Sequence, residues 1–156
     1  MTTSTVVTTP DELLAHWQGH RRVTRRMIEA FPEKELFEYS IGGMRPFASM
    51  AGELLRMTVP IARGVATGQW TDAKVEPKSK AEILQQWDKD TNELDRLWQT
   101  IPPHRFQEED TAFGQWKGTG IWMIQYAIDN EIHHRGQGYV YLRSLGIEPP
   151  AFYDRA

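Results

Sequence analysis

The sequence predicts an all-α protein, a four-helix bundle with long first and third connections. Three observations carry this reading. Four stretches of the 156-residue chain repeat apolar side chains every three or four positions. Each is bracketed by capping residues or prolines, and no convincing run of alternating apolar and polar residues competes with them. With 40% hydrophobic residues, a single domain over 1–156 has the material for a sizeable core.

The first helix opens at Thr9-Pro10-Asp11-Glu12, where threonine caps, proline suits the first helical position and glutamate completes a capping box. Leu13, Trp17, His20, Thr24, Met27 and Phe31 follow at helical spacing until Pro32 ends the run. The basic cluster H-R-R-V-T-R-R at 20–26 reads as the wet side of this helix. Residues 31–44 are expected to form a loop whose most flexible point is Gly42-Gly43.

The second helix starts near Arg45-Pro46-Phe47 with an inner row of Met50, Glu53, Leu54, Met57 and Ile61. A kink or break is expected at Pro60, and Gly68 marks the end. Ser79-Lys80-Ala81-Glu82 reads as a second capping box, after which Ile83, Trp87, Leu94, Trp98 and Ile101 share a face up to Pro102-Pro103. Residues 104–118 form the third connection, with room for a short extended pair. Trp70 and Trp116, both in connections, are candidates to line a pocket or to act as apolar anchors. The last helix covers about 119–145, capped by Gly146 and stopped by Pro149-Pro150.

Composition excludes several functions. The chain has no cysteine, hence no disulfide, thiolate metal site or cysteine nucleophile. A net charge of −3 argues against a nucleic-acid partner. No apolar run approaches a membrane span, and M-T-T-S-T-V-V-T-T-P lacks the layout of a secretory signal, so the expected compartment is the cytoplasm. A glycine-rich phosphate loop and a G-x-S-x-G elbow are missing, and E-I-H-H is not H-E-x-x-H.

Chemistry concentrates at D-N-E-I-H-H-R-G-Q-G-Y, residues 129–139. Neighbours on a helix point about 100° apart, so the two histidines face different ways. The row Met123, Ala127, Asn130, His134, Gly138, Tyr141 and Leu145 lies on the apolar side, which turns His134 inward and leaves Asp129 and His133 outside. Glu53 on the inner row of the second helix needs a cation or hydrogen-bond donors there. Glu53, Asn130 and His134 are therefore expected to converge, either as a metal site or as a satisfied polar network. Arg135 is expected to pair with Glu131 one turn earlier. Gly136 and Gly138 suggest close approach of another backbone, from the third helix or a neighbouring protomer. His20 is a packed core histidine or a further ligand.

The string H-H-R-G-Q-G-Y-V-Y-L-R-S-L-G-I-E-P-P resembles the C-terminal signature of the DinB/YfiT-like superfamily. R-P-F-A-S-M-A-G-E-L-L and the general layout extend the resemblance over nearly the whole chain. It implies a bacterial four-helix bundle binding a divalent metal, commonly zinc or nickel, through three histidines, one from the second helix and two from the fourth. Those positions fall on Glu53, Asn130 and His134, so one histidine is kept and oxygen donors replace two. Such a set shifts the preference toward manganese or ferrous iron. The resemblance further implies a low-molecular-weight thiol such as bacillithiol or mycothiol, S-transfer to a small-molecule substrate in stress or detoxification, and a homodimer. A metal-dependent hydrolase and a non-enzymatic dimeric binding bundle with a degenerate metal site are the alternatives.

Overall fold

The computed structural model describes residues 6–156; residues 1–5, where the stretch read as lacking a secretory signal begins, lie outside the described residues. The elements are α1 (Pro10–Ala30), α2 (Glu33–Glu38), α3 (Phe47–Thr67), α4 (Lys80–Trp98), a 3-10 turn (Pro103–Phe106), β1 (Glu109–Ala112), β2 (Trp116–Thr119) and α5 (Gly120–Ser144). The four long helices form a bundle in which α1 and α3 each pack against both α4 and α5. No described helix is long and apolar enough to cross a membrane.

Local chemistry sets the helix ends. The Thr9 hydroxyl accepts the Glu12 N–H while the Glu12 carboxylate accepts the Thr9 N–H, completing the box that starts α1. At α4 the Ser79 hydroxyl accepts the Glu82 N–H, but Glu82 returns its bond to the Lys78 N–H instead of Ser79. The expected second box is therefore only half formed. Gly68 ends α3 in the left-handed region at φ 74°.

Two expectations about the chain path are revised, the first loop gaining a short helix and α3 showing no break at Pro60. Residues 33–38 wind into α2, because buried Leu36 anchors a short turn between Pro32 and Tyr39. Helix α3 runs unbroken through Pro60, whose ring is itself buried in the bundle. Packing of that helix outweighs the hydrogen bond that a proline cannot donate.

The apolar core has two halves. Trp17, Ile61, Val65, Leu94 and Ile124 belong to one; Met27, Phe31, Phe47, Leu55 and Tyr141 belong to the other. Burying each large aliphatic side chain contributes roughly 1.5–3 kcal/mol. Gly138 admits the Met27 and Phe47 side chains, 2.8 Å from where its Cβ would lie, whereas nothing approaches Gly136 within 4 Å. The close approach expected at these glycines is thus made by side chains of α1 and α3, at Gly138 alone.

A layer of buried polar side chains lies among these apolar groups; within 20–26 it takes in His20, Arg21 and Thr24, while Arg22 is exposed and Arg25 and Arg26 are half-exposed as the wet-face reading expects. Arg21 is 1% exposed. Its guanidinium donates to Thr58 Oγ1 (3.0 Å), the Trp87 carbonyl (3.0 Å) and Thr91 Oγ1 (3.0 Å), tying α1 to α3 and α4. Arg135 donates to the His20 carbonyl (3.0 Å) and His20 Nδ1 (2.9 Å), tying α5 to α1. Arg135 and Glu131 do not form the expected direct ion pair. Both contact Thr24, whose hydroxyl donates to Glu131 at 2.6 Å and accepts from Arg135 at 3.3 Å. Burial pushes the Glu131 carboxyl up against the opposing pull of Arg21, Thr24 and Arg135. These directional bonds fix the rotation of α5, and with it the heading of Asn130 and His134.

The third connection folds back as the expected extended pair. Strands β1 and β2 are antiparallel, with Glu109 opposite Thr119 and Ala112 opposite Trp116. The Gln115 N–H bonds the Ala112 carbonyl across a turn in which Phe113 (φ 52°) and Gly114 (φ 68°) are both left-handed. Such a turn matches the twist of a hairpin. It costs a phenylalanine on the order of 1–2 kcal/mol, offset here by packing of its ring against Trp70 and Trp116. Arg105 donates to the carbonyls of Val65 (2.8 Å) and Gly64 (3.1 Å) and to Asp110 (2.8 Å), joining the hairpin to the end of α3.

Candidate functional site

Helices α3 and α5 bring Glu53, Asn130 and His134 within hydrogen-bonding distance. Glu53 Oε1 accepts from Asn130 Nδ2 at 3.1 Å and lies 3.1 Å from His134 Nε2. Glu53 Oε2 accepts from Arg45 Nη1 at 2.8 Å. His134 Nδ1 lies 2.7 Å from Gln137 Oε1, and Asn130 Nδ2 also approaches the Met57 sulfur at 3.2 Å. The imidazole is buried, while the Glu53 side chain is 29% exposed. Glu53 and Met57 therefore border the core instead of sitting in it; Met50, Leu54 and Ile61 form the buried row. Burial raises the Glu53 carboxyl, but the bonds from Arg45, Asn130 and His134 outweigh it and hold the group below its usual range.

His133 and Asp129 are exposed, and His20 is joined to Arg135 with no contact to this centre. Among the described residues, no three His, Cys, Asp or Glu side chains are placed to hold a metal ion together. The third donor here is an asparagine. The donor set nonetheless fits a divalent cation. A divalent cation would replace the proton of the His134 Nε2–Glu53 Oε1 hydrogen bond, and Gln137 Oε1 would orient the ring through Nδ1. Rotating the Asn130 amide offers a second oxygen, and Arg45 occupies the carboxylate oxygen on the other side. Two oxygens and one nitrogen suit a hard ion better than a soft one.

Glu53 also forms part of the wall of a cavity of about 600 Å³ between α3, α5, the hairpin and the 68–79 connection. Met57, Phe113, Trp116, Trp122 and Tyr126 line it as well, together with the charged side chains of Arg56 and Asp72. Trp116 lines this cavity. Trp70 acts as an anchor, with its ring on Gly64 and its indole N–H on Asp110 at 3.1 Å. Sequence reasoning missed Arg45, Gln137 and the Trp122–Tyr126 pair. Gln137 sits one turn beyond His134, and Trp122 and Tyr126 are four apart, so helical spacing held a signal for both.

A helical bundle with a carboxylate–imidazole centre beside a ligand-sized aromatic cavity belongs to the class of bundles that place polar sites between facing helices. The model of the DinB family matches residues 1–156, and the chain belongs to that family. It is 26% identical to the uncharacterized protein YjoA of Bacillus subtilis (strain 168) over 93% of this chain and 96% of that one. The crystal structure of the DinB-like protein YjoA superposes with a TM-score of 0.74 at 20% identity, covering 90% of this chain and 96% of the other. A DinB-like protein from Bacillus cereus ATCC 10987 gives 0.73 at 19% identity, covering 92% and 97%. The mycothiol-dependent maleylpyruvate isomerase shares the fold at a TM-score of 0.61 and 15% identity, over 88% of this chain and 68% of its own length.

Proposed function

We propose that the chain is a thiol-dependent enzyme of the S-transferase type, acting on a small electrophilic molecule held in the aromatic cavity. The observation that carries this reading is the double position of Glu53, which lines the cavity and is bonded to His134 behind it. The fold shared with a mycothiol-dependent isomerase supports the choice of a thiol as co-substrate. With no cysteine in the chain, the thiol must be a borrowed one, such as bacillithiol or mycothiol. The cytoplasm, where thiols are kept reduced, is the compartment this requires.

In this mechanism the Glu53–His134 pair accepts the thiol proton as sulfur approaches the electrophile. Arg45 holds the carboxylate in place, and Gln137 fixes the imidazole. Phe113, Trp116, Trp122 and Tyr126 exclude water from the electrophile and orient it. A carbon–sulfur bond forms, the bond to the leaving group breaks, and that group departs with the proton the pair received. Glu53 Oε1, His134 Nε2 and Asn130 Oδ1 would hold a divalent ion, which when bound supplies Lewis acidity that lowers the pKa of a thiol sulfur.

Both Glu53 oxygens already accept hydrogen bonds, and this closed network supports a second reading, a binding bundle without turnover. The exposed apolar side chains of Ile132 and Val140 on α5 support a homodimer in either case. Tag-free protein is to be incubated with manganese, iron, zinc or nickel, a panel of bacterial thiols and a chromogenic aryl halide. The expected result is thiol consumption that is lost in Glu53→Gln and His134→Ala. Absence of turnover under every metal and thiol ends the enzymatic reading in favour of the binding one.

A further inference from the structure

Beside the aromatic cavity runs a second depression of about 410 Å³, lined by Arg45, Ser49, Gly52, Arg56 and Lys78 among others. Arg56 lines both spaces. The Glu53–Arg45 ion pair bridges them as well: Glu53 lines the cavity and Arg45 lines the groove. Three cationic side chains border the groove against one carboxylate, Glu76, which is 3.8 Å from Lys78. Arg56 has no ion-pair partner among the described residues; its guanidinium donates to the Val75 carbonyl at 3.2 Å. The first turn of α3, including Ala48 and Ser49, faces the same groove and carries neither a side-chain cap nor an acidic residue.

We propose that the cavity and the groove form one bipartite site for an amphiphilic organic anion. The apolar or aromatic body of the ligand lies against Trp116, Trp122 and Tyr126. Its anionic oxygen group is held by the Arg56 guanidinium, because Arg45 and Lys78 are already paired with Glu53 and Glu76. A planar guanidinium offers paired N–H donors to a carboxylate or sulfonate, a geometry an ammonium does not match. The middle of such a ligand passes Glu53, where the two spaces meet. This inference rests on the cavity being a ligand site, as the proposed function requires. It adds that the ligand carries negative charge at one end.

The test uses the full chain and two fluorescent probes of nearly equal apolar surface, 8-anilinonaphthalene-1-sulfonate and uncharged N-phenyl-1-naphthylamine. Arg56→Met should weaken the sulfonate about fivefold to tenfold, the loss of a partly solvated charge-assisted contact, and change the uncharged probe less than twofold. Trp116→Ala should weaken both. Arg96→Gln, which removes the same charge from the outer face of α4, should change neither. Equal weakening of both probes by Arg56→Met, no weakening of either, or the same loss in Arg96→Gln overturns the proposal. Should Arg56→Met unfold, Arg56→Gln replaces it under the same criteria. No thiol is present, so selective sulfonate binding without thiol turnover would end the transferase reading and leave the anionic subsite standing.

Discussion

Lowering the pH from 7 to 5 is expected to cost the folded protein about 2 kcal/mol through His20 alone. The ring is 2% exposed. Burial, followed by the neighbouring cations of Arg135 and Arg155, holds its pKa down at about 3 against an ordinary 6.5. Arg135 donates to Nδ1 at 2.9 Å, so the single ring proton resides on Nε2. The folded pKa lies below the unfolded one, so the unfolded chain takes up a proton that the folded chain refuses. Stability therefore falls as pH drops beneath 6.5, with a slope approaching 1.4 kcal/mol per pH unit, and levels off near 3. Most of the interval from 7 to 5 lies on that slope, which gives the figure stated. Urea unfolding of wild type and His20→Gln at both pH values measures it. Glutamine can still accept from Arg135 but does not titrate, so the wild type should lose about 2 kcal/mol more than the variant between pH 7 and 5. Burial raises Glu131 and Asp90, which opposes this trend, but both groups are common to the two proteins. Parallel pH profiles would refute the account of His20.

Arg21→Met should destabilise by roughly 3–5 kcal/mol, because it strips the buried Glu131 carboxylate of a compensating charge and frees Thr58 and Thr91; a urea midpoint close to wild type would contradict this. Gly64→Ala should lower stability by about 1–2 kcal/mol despite a gain of about 1 kcal/mol in helix propensity, since the new methyl would sit 2.1 Å from the Trp70 ring. Calorimetry checks it, and a raised melting temperature would show that the ring does not pack there. Trp116→Ala, at a side chain 53% exposed, should cost no more than about 1 kcal/mol in urea unfolding, the share of the Phe113 packing that it supplies.

Much of this fold could be read from residue spacing because helices advertise themselves. Thr9 with Glu12, Gly68 and Gly146 mark ends through local backbone chemistry, which needs no knowledge of the tertiary structure. The inward heading of His134 followed from periodicity in the same way. The buried layer did not. Arg21 looks like any surface cation in a basic run, and only the placement of Thr58 and Thr91 on two other helices makes its burial tolerable. The partner of Arg135 was likewise misassigned, because a residue one turn away on its own helix competed with Thr24 and His20 on α1, more than 100 positions earlier in sequence. Arg45 reached the Glu53 carboxylate from just ahead of α3, where helical periodicity gives no direction. The aromatic cavity is assembled from α3, α5 and the hairpin, so no single stretch announces it.

The proposed catalysis depends on Glu53 and His134 meeting across the interface of α3 and α5. A double-mutant cycle with Glu53→Ala, His134→Ala and the combined variant, read as unfolding free energies in urea near neutral pH, tests that directly. The 3.1 Å contact predicts a coupling of at least about 0.5 kcal/mol, the two single losses failing to add. Additivity to within about 0.3 kcal/mol would mean that the two side chains do not meet.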